Sequence, residues 1–165
     1  MGRGKRRFDV GSIAVKSVLL RPETGDANDL IKRARGCLRY AYVPYSGFAV
    51  GAVVVDQVGR FFTGANIENA SYGLTICAER VAIFAAIAAG AKTIQSVTVT
   101  SAKSRPISPC GACRQVMLEF CLPNALFFSD AGRGRIVSCL VHDLLPNAFV
   151  GRSLTQSQDI EVLSL

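Results

Sequence analysis

The chain has 165 residues, of which 50% are hydrophobic and 19% are charged. This length predicts a single domain, and the apolar share excludes a disordered or collagen-like chain. The longest apolar stretch, residues 81–91, is much shorter than the roughly 18 residues that a membrane-spanning helix requires. We therefore expect a globular protein without a membrane partner.

The net charge of +7 is unevenly distributed along the chain. The first 21 residues carry six basic side chains and one acidic one, whereas the remaining 144 residues carry 13 basic and 11 acidic side chains. We expect residues 1–25 to form a basic, flexible tail and residues 26–165 to form one domain. The tail has no nucleic-acid-binding motif, so no nucleic-acid partner is predicted. A cytoplasmic location is expected, and an organelle transit peptide in the arginine-rich start is the alternative.

Hydrophobic periodicity predicts helices that alternate with strands. The first helix is expected after the turn at residues 22–26, with Asp26 or Asn28 as its N-cap and apolar residues at helical spacing as far as Ala41. The elements predicted next are strand 48–55, hairpin turn 56–59, strand 60–65, helix 77–89, strand 94–100, helix 110–120, strand 125–128 and strand 136–139. This order indicates an α/β sandwich, with one mixed sheet and helices on its faces.

Two short motifs contain groups suited to metal chemistry: Cys-Ala-Glu-Arg at residues 77–80 and Pro-Cys-Gly-Ala-Cys at residues 109–113. Each begins a predicted helix, where backbone amides and the helix dipole favour a thiolate. Three thiolates at one centre leave the fourth position of a tetrahedral zinc ion for water, which is the arrangement of catalytic sites. A structural zinc site with Cys37, Cys121 or Cys139 as the fourth ligand is the alternative.

Glu79 lies two residues after the first motif cysteine and is therefore displaced from the metal-facing side of its helix. A carboxylate there is placed to move protons rather than to bind the metal. A ligand, one intervening residue, a glutamate and a downstream Pro-Cys-x-x-Cys form the signature of zinc deaminases.

The motifs resemble those of cytidine deaminases, in particular the small homotetrameric type with three cysteine ligands. The resemblance extends over residues 27–154 and is carried by the segments 42–52, 64–70, 77–80, 108–116 and 144–149. It implies a three-layer α/β/α sandwich with a mixed five-stranded sheet. It also implies zinc-dependent hydrolytic deamination of cytidine and 2′-deoxycytidine to uridine and 2′-deoxyuridine with release of ammonia, a reaction of pyrimidine salvage.

The resemblance also assigns roles to individual residues. It implies that Cys77, Cys110 and Cys113 bind one zinc ion per chain, that Glu79 is the proton shuttle, and that Arg80 offsets the charge of the thiolates. For nucleoside binding, it implies that Phe48 lies against the pyrimidine ring and that Asn66 and Glu68 bind the ribose hydroxyls. It implies that backbone groups around Ala78 and Ser108 bind the base. Tyr72 and Phe149 are implied to reach the pocket of a neighbouring subunit. The expected assembly is a homotetramer whose sites are shared between subunits.

Two alternative functions belong to different classes. The first is another zinc deaminase of the same fold, acting on blasticidin S, on nucleotides or on a polynucleotide. The negative charge of Glu68 suits hydroxyl groups rather than phosphates, and this favours a free nucleoside. The second alternative is a zinc-stabilised binding module that uses its basic tail on nucleic acid.

Overall fold

The computed structural model describes residues 26–103 and 105–151, so the predicted basic tail lies outside the described residues. The described part contains three α-helices and five strands: α1 (Ala27–Cys37), β1 (Val50–Asp56), β2 (Phe61–Ala65), α2 (Ala78–Ala88), β3 (Ile94–Ser101), α3 (Gly111–Phe120), β4 (Cys121–Asp130) and β5 (Ile136–Leu140). Short 3-10 turns lie at Leu38–Tyr40, Tyr72–Leu74 and His142–Leu144. None of the helices in these two ranges is long and apolar enough to cross a membrane.

The five strands form one mixed sheet in the order β2-β1-β3-β4-β5. Strands β3 and β4 are parallel and are connected through α3, whereas the other neighbouring pairs are antiparallel. The predicted hairpin between β1 and β2 is present, since Val55 pairs with Phe61 across the turn. The prediction of a mixed five-stranded sheet is therefore confirmed.

Helices cover both faces of the sheet. On one face Leu30 and Ala34 of α1 belong to a buried cluster with alternate residues of β1, such as Val53. On the other face Ile83 of α2 and Met117 of α3 pack in a second, larger cluster. Each fully buried aliphatic side chain of this size contributes about 1.5–3 kcal/mol through removal from water. The structure is thus a three-layer α/β/α sandwich, as expected.

Most predicted boundaries agree with the observed ones to within two residues, but two differ by four. Helix α1 ends at Cys37 and not at Ala41, because Leu38–Tyr40 form a 3-10 turn that is followed by Ala41 as its C-cap. Strand β4 begins at Cys121 rather than at residue 125, although Pro123 lies within it. The register between β3 and β4 shifts in this stretch, and a proline is tolerated where the ladder is interrupted. Hydrophobic periodicity alone does not report such an irregularity.

A buried carboxylate connects α1 to the sheet. Asp130, at the end of β4, is 1% exposed and accepts two hydrogen bonds from the Arg35 guanidinium, at 2.7 and 2.9 Å. Thr100 Oγ1 and the Gly132 amide donate two more, at 2.7 and 2.8 Å. Burial alone would raise the pKa of Asp130, but these hydrogen bonds outweigh it and lower that pKa. The interaction therefore stabilises the fold at neutral pH and weakens as the pH falls through the lowered pKa.

The absence of a side chain at Gly64 determines where α2 lies. A Cβ atom at this position of β2 would overlap the carbonyl oxygen of Ala78 and lie 2.6 Å from the amide nitrogen of Ala82. The first turn of α2 therefore packs directly on the backbone of β2. This turn includes Glu79 and follows Cys77, so the close contact also places these two residues.

We predict that Gly64→Ala lowers the free energy of unfolding by about 1–3 kcal/mol, the usual cost of overpacking. Equilibrium unfolding in urea, followed by circular dichroism, measures the change. Gly36→Ala is the matched control, because nothing lies within 4 Å of a Cβ atom at this helical position. The control is expected to unfold at the same or a higher urea concentration. Equal stability of Gly64→Ala and the wild type would contradict the steric argument.

Candidate metal centre and active site

The N-terminal ends of α2 and α3 bring three cysteines together. Cys77 is the N-cap of α2 and Cys110 is the N-cap of α3, and both have extended backbone conformations. Neither side chain accepts a capping hydrogen bond, so both thiols are available for other partners. The Sγ atoms of Cys77, Cys110 and Cys113 all lie within 4.8 Å of one another, and those of Cys77 and Cys110 are 3.8 Å apart.

This geometry fits a tetrahedral metal ion with thiolate ligands. Zinc–sulfur bonds of about 2.3 Å at tetrahedral angles place two sulfurs about 3.8 Å apart. Within the described residues, Cys37, Cys121 and Cys139 lie outside the cluster and provide no fourth ligand. The alternative of a closed, four-cysteine structural site therefore has no support in the described part of the chain.

The charges around the cluster favour a thiolate at Cys77. A hydrogen bond from the Cys113 thiol lowers the pKa of Cys77 to about 5, against the opposing effect of burial, and Arg80 adds to the lowering. The pKa of Cys113 is raised by its role as the donor to Cys77 and by burial. Arg80 donates from Nη2 to the Thr75 carbonyl at 3.2 Å and to Cys77 Sγ at 3.9 Å. Arg80 thus lies beside Cys77, the neighbourhood that the family resemblance implies for it.

Glu79 lies in the first turn of α2 and is only 5% exposed. Burial raises the pKa of its carboxyl group to about 7, and the nearby Cys77 thiolate adds to the effect. The neighbouring Cys113 thiol opposes this rise in the pKa. A buried carboxyl group that lines a pocket and lies beside a cluster of possible metal ligands is suited to proton transfer.

A pocket of about 700 Å³ opens onto the cluster. It brings together eight of the site residues predicted from the sequence: Phe48, Asn66, Glu68, Cys77, Ala78, Glu79, Ser108 and Cys110. Its lining also contains residues that the sequence analysis does not identify: Ser46, Val50, Arg105, Pro106 and Ile107. Most of these additional residues belong to irregular segments, where the sequence has no hydrophobic periodicity from which they could be identified.

Asn66 uses its side-chain amide to hold the backbone around Phe48. Its Nδ2 donates to the Phe48 carbonyl at 2.9 Å, and its Oδ1 accepts from the Val50 amide at 2.9 Å. One donor hydrogen and one acceptor lone pair remain for a ligand. Asn66 thus holds the backbone on both sides of residue 49, a role that the sequence does not predict.

Glu68 makes similar contacts with the turn at Tyr45 and Ser46. Its carboxylate accepts from the Tyr45 amide at 3.0 Å, from the Ser46 amide at 3.2 Å and from the Ser46 hydroxyl. The hydroxyl contact is the main cause of a lowered pKa for Glu68, so the group carries its charge. A carboxylate has about four acceptor positions, and one remains for a hydroxyl of a ligand.

Tyr72 and Phe149 do not line this pocket. Tyr72 is 75% exposed, makes an edge contact with the Tyr45 ring, and lines a second pocket that shares Ser46 and Glu68 with the first. Phe149 is 61% exposed, and its carbonyl accepts a hydrogen bond of 2.7 Å from Gln115. Both aromatic rings therefore remain available for contacts outside the chain.

The arrangement is similar to that of known proteins. The family model of the cytidine and deoxycytidylate deaminase zinc-binding region matches residues 25–129. A cytidine deaminase of Halalkalibacterium halodurans is 45% identical over 129 residues, which are 78% of this chain and 98% of the relative. A cytidine deaminase of Mycobacterium tuberculosis is 40% identical over 75% of this chain and 90% of its own length.

Solved structures give the same result. The crystal structure of cytidine deaminase from Burkholderia pseudomallei matches with a TM-score of 0.72 and 43% identity, over 76% of this chain and all of that one. The M. tuberculosis cytidine deaminase structure matches with a TM-score of 0.66 and 39% identity, over 76% of this chain and 98% of that one. By sequence, by fold and by its cluster of three cysteines, this chain belongs to the cytidine and deoxycytidylate deaminase family.

Proposed function

We propose that the protein is a hydrolase that deaminates cytidine and 2′-deoxycytidine to uridine and 2′-deoxyuridine, with release of ammonia. The observation that carries the proposal is the group of three thiols within 4.8 Å of one another, at a pocket that also contains the buried Glu79. The relatives named cytidine deaminase, which match nearly over their full length, support the same reaction. This reaction belongs to pyrimidine salvage.

We assign the metal to zinc, one ion per chain, bound by Cys77, Cys110 and Cys113. Thiolate ligands in a tetrahedral arrangement suit zinc, which would supply a Lewis acid that activates a water molecule. Arg80 lies beside Cys77 and reduces the negative charge that three thiolates give to a divalent ion. Arg80 thereby keeps the centre more acidic.

The proposed task of Glu79 is to move protons. Its carboxylate accepts a proton from the attacking water and delivers it to ring nitrogen N3, while the water oxygen bonds to C4. The second proton of that water passes from the new C4 hydroxyl through Glu79 to the amino group, the bond from C4 to the amino nitrogen breaks, and ammonia leaves as the C4 carbonyl forms. Water and cytidine are thereby converted into ammonia and uridine. Glu79 lines the pocket and is almost fully buried, which limits the competition of bulk water for these protons.

The remaining pocket residues bind and orient the nucleoside. Phe48 is proposed to lie against the pyrimidine ring, and backbone groups of Ala78 and Ser108 to bind the base. Asn66 and Glu68 each retain unused hydrogen-bonding capacity for the ribose hydroxyls. Asn66 has a second effect in this proposal, because it also holds the backbone on both sides of Phe48.

We propose further that the protein is a cytoplasmic homotetramer, in which Tyr72 and Phe149 reach the pocket of a neighbouring subunit. The support is exposed apolar surface beside the pocket: Tyr42, Tyr45, Ile67, Tyr72 and Leu74 are between 42% and 75% exposed. Hydrophobic side chains at this density favour burial against another copy. Residues 26–165 are proposed to form the catalytic domain, with residues 1–25 as a basic tail.

The metal assignment predicts one zinc ion per chain in the purified wild type. Cys110→Ser and Cys113→Ser are expected to lose most of the zinc, because a hydroxyl is a much poorer ligand than a thiolate. Inductively coupled plasma mass spectrometry measures the metal content. Cys121→Ser is the matched control and is expected to keep one zinc per chain. Full zinc content in the Cys113→Ser variant would refute the assignment.

For the proton shuttle, Glu79→Gln is expected to keep zinc and to bind cytidine, yet to lose at least about two orders of magnitude in kcat. Glu79→Asp, which is one methylene shorter, should lie between this variant and the wild type. The decrease in absorbance as cytidine is converted to uridine gives the rates. Glu119→Gln, at an exposed position of α3, is the control and should have the kcat of the wild type. A Glu79→Gln variant with zinc and most of the wild-type kcat would show that the shuttle is another group.

Sharing of sites between subunits predicts complementation between two inactive variants. Phe149→Ala and Glu79→Gln are each expected to be nearly inactive alone. In a hybrid tetramer, the pocket of a Phe149→Ala subunit retains Glu79. A neighbouring Glu79→Gln subunit supplies the intact Phe149 to that pocket. Coexpression with two different affinity tags, and purification over both, gives the hybrids for the activity assay. Activity no higher than that of either variant alone, or an active monomer in light scattering, would contradict shared sites.

A further inference from the structure

One side of the pocket is formed by residues 105–109, here called the pocket wall. Arg105, Pro106, Ile107 and Ser108 of this segment line the pocket together with Glu79. Among the described residues, the pocket wall makes no backbone-to-backbone hydrogen bond. Its position therefore depends on contacts with side chains.

The pocket wall also borders a smaller, partly open pocket. This smaller pocket has a volume of about 90 Å³ and is lined by Ile107, Ser108, Ser129 and Leu144, among others. A segment that borders open space has fewer contacts to resist displacement than a segment packed against a core. The Ile107 amide donates to Ser129 Oγ at 2.9 Å, which ties one point of the pocket wall to β4.

Arg114 makes the remaining hydrogen bonds to the pocket wall. Its Nη2 donates to Ser108 Oγ at 2.7 Å, and its Nε donates to the Pro109 carbonyl at 2.9 Å. Its Nη1 donates to the carbonyl of Leu144, another residue that lines the smaller pocket, at 2.8 Å. One planar guanidinium thus joins the pocket wall to the segment after β5, in a geometry that a lysine ammonium cannot reproduce.

We propose that Arg114 is a positioning residue for deamination: it holds the pocket wall, through Ser108 and Pro109, at the distance from Glu79 that the base requires. Arg114 does not line the pocket, and it acts through Ser108 rather than on the substrate. This inference rests on the proposed function for its kinetic consequence, but its structural part is independent of any activity. Displacements on the order of 1 Å in an active site are sufficient to reduce rates strongly.

The kinetic test compares Arg114→Lys, Ser108→Ala and the double variant with the wild type, using cytidine. We expect Arg114→Lys to lower kcat/KM at least about tenfold with one zinc per chain retained. Ser108→Ala removes one of the three hydrogen bonds that Arg114 donates, and it is the variant that tests the proposal if Arg114→Lys does not fold. The loss of kcat/KM in the double variant should be no larger than that in the more impaired single variant, because both substitutions affect the same contact. Arg33→Lys, at an exposed position of α1, is the matched control.

Three kinetic results would overturn the proposal. The first is a kcat/KM of wild-type size in both single variants. The second is a loss that accompanies the loss of zinc, which would mean that Arg114 acts on the cysteine ligands. The third is additive losses in the double variant, which would separate Arg114 from Ser108.

Hydrogen exchange followed by mass spectrometry tests the structural part without any substrate. Arg114→Lys is expected to increase exchange in peptides that cover the pocket wall, whereas Arg33→Lys is expected to leave it unchanged. Unchanged exchange in Arg114→Lys would overturn the proposal, whether or not the chain acts on cytidine. Conversely, a wild type with no activity on cytidine but with the expected exchange result would refute the proposed function alone.

Discussion

The site depends on the direct contact between the backbone of β2 and the first turn of α2. Because residue 64 is glycine, α2 lies close enough to the sheet for its N-terminal end to meet that of α3. The distance between Cys77 and Cys110 is thus determined by backbone packing and not by the cysteines themselves. Metal ligands held by a rigid scaffold need little rearrangement when the ion binds.

The polar residues of the pocket have two kinds of contacts at once. Asn66 donates one hydrogen bond to the backbone at the pocket edge and accepts another, and Glu68 accepts two from backbone amides. Each side chain keeps part of its hydrogen-bonding capacity free. The same residues therefore hold Phe48 and the turn at Ser46 while they face the ligand. Arg114 extends this principle to the opposite side of the pocket, from a position outside it. Precision in the site thus comes from side chains that fix irregular backbone.

The layered fold and the cysteine cluster are predictable from the sequence because their signals are local. Helix α2 is expected at residues 77–89 and observed at Ala78–Ala88, since the motif cysteine begins it and Gly90 follows it. The start of β4 is not predictable in this way, because Pro123 is tolerated only through a register shift relative to β3. Residues 105–107 of the pocket wall are missed for a related reason. These residues have no periodicity, and their position depends on long-range contacts such as that of Ile107 with Ser129.

The separation of the thiols along the chain has a consequence for the order of folding. Cys110 and Cys113 are neighbours on one helical turn, whereas Cys77 and Cys110 are 33 positions apart. The pair on α3 can therefore capture a cation as soon as this helix forms, but the third ligand arrives only after α2 has docked on the β1–β2 hairpin. A β-hairpin takes about 1–10 μs to form, whereas a helix takes about 0.1–1 μs. The complete metal centre is consequently a late product of folding, and its presence reports that α2 and α3 have both docked on the same face of the sheet.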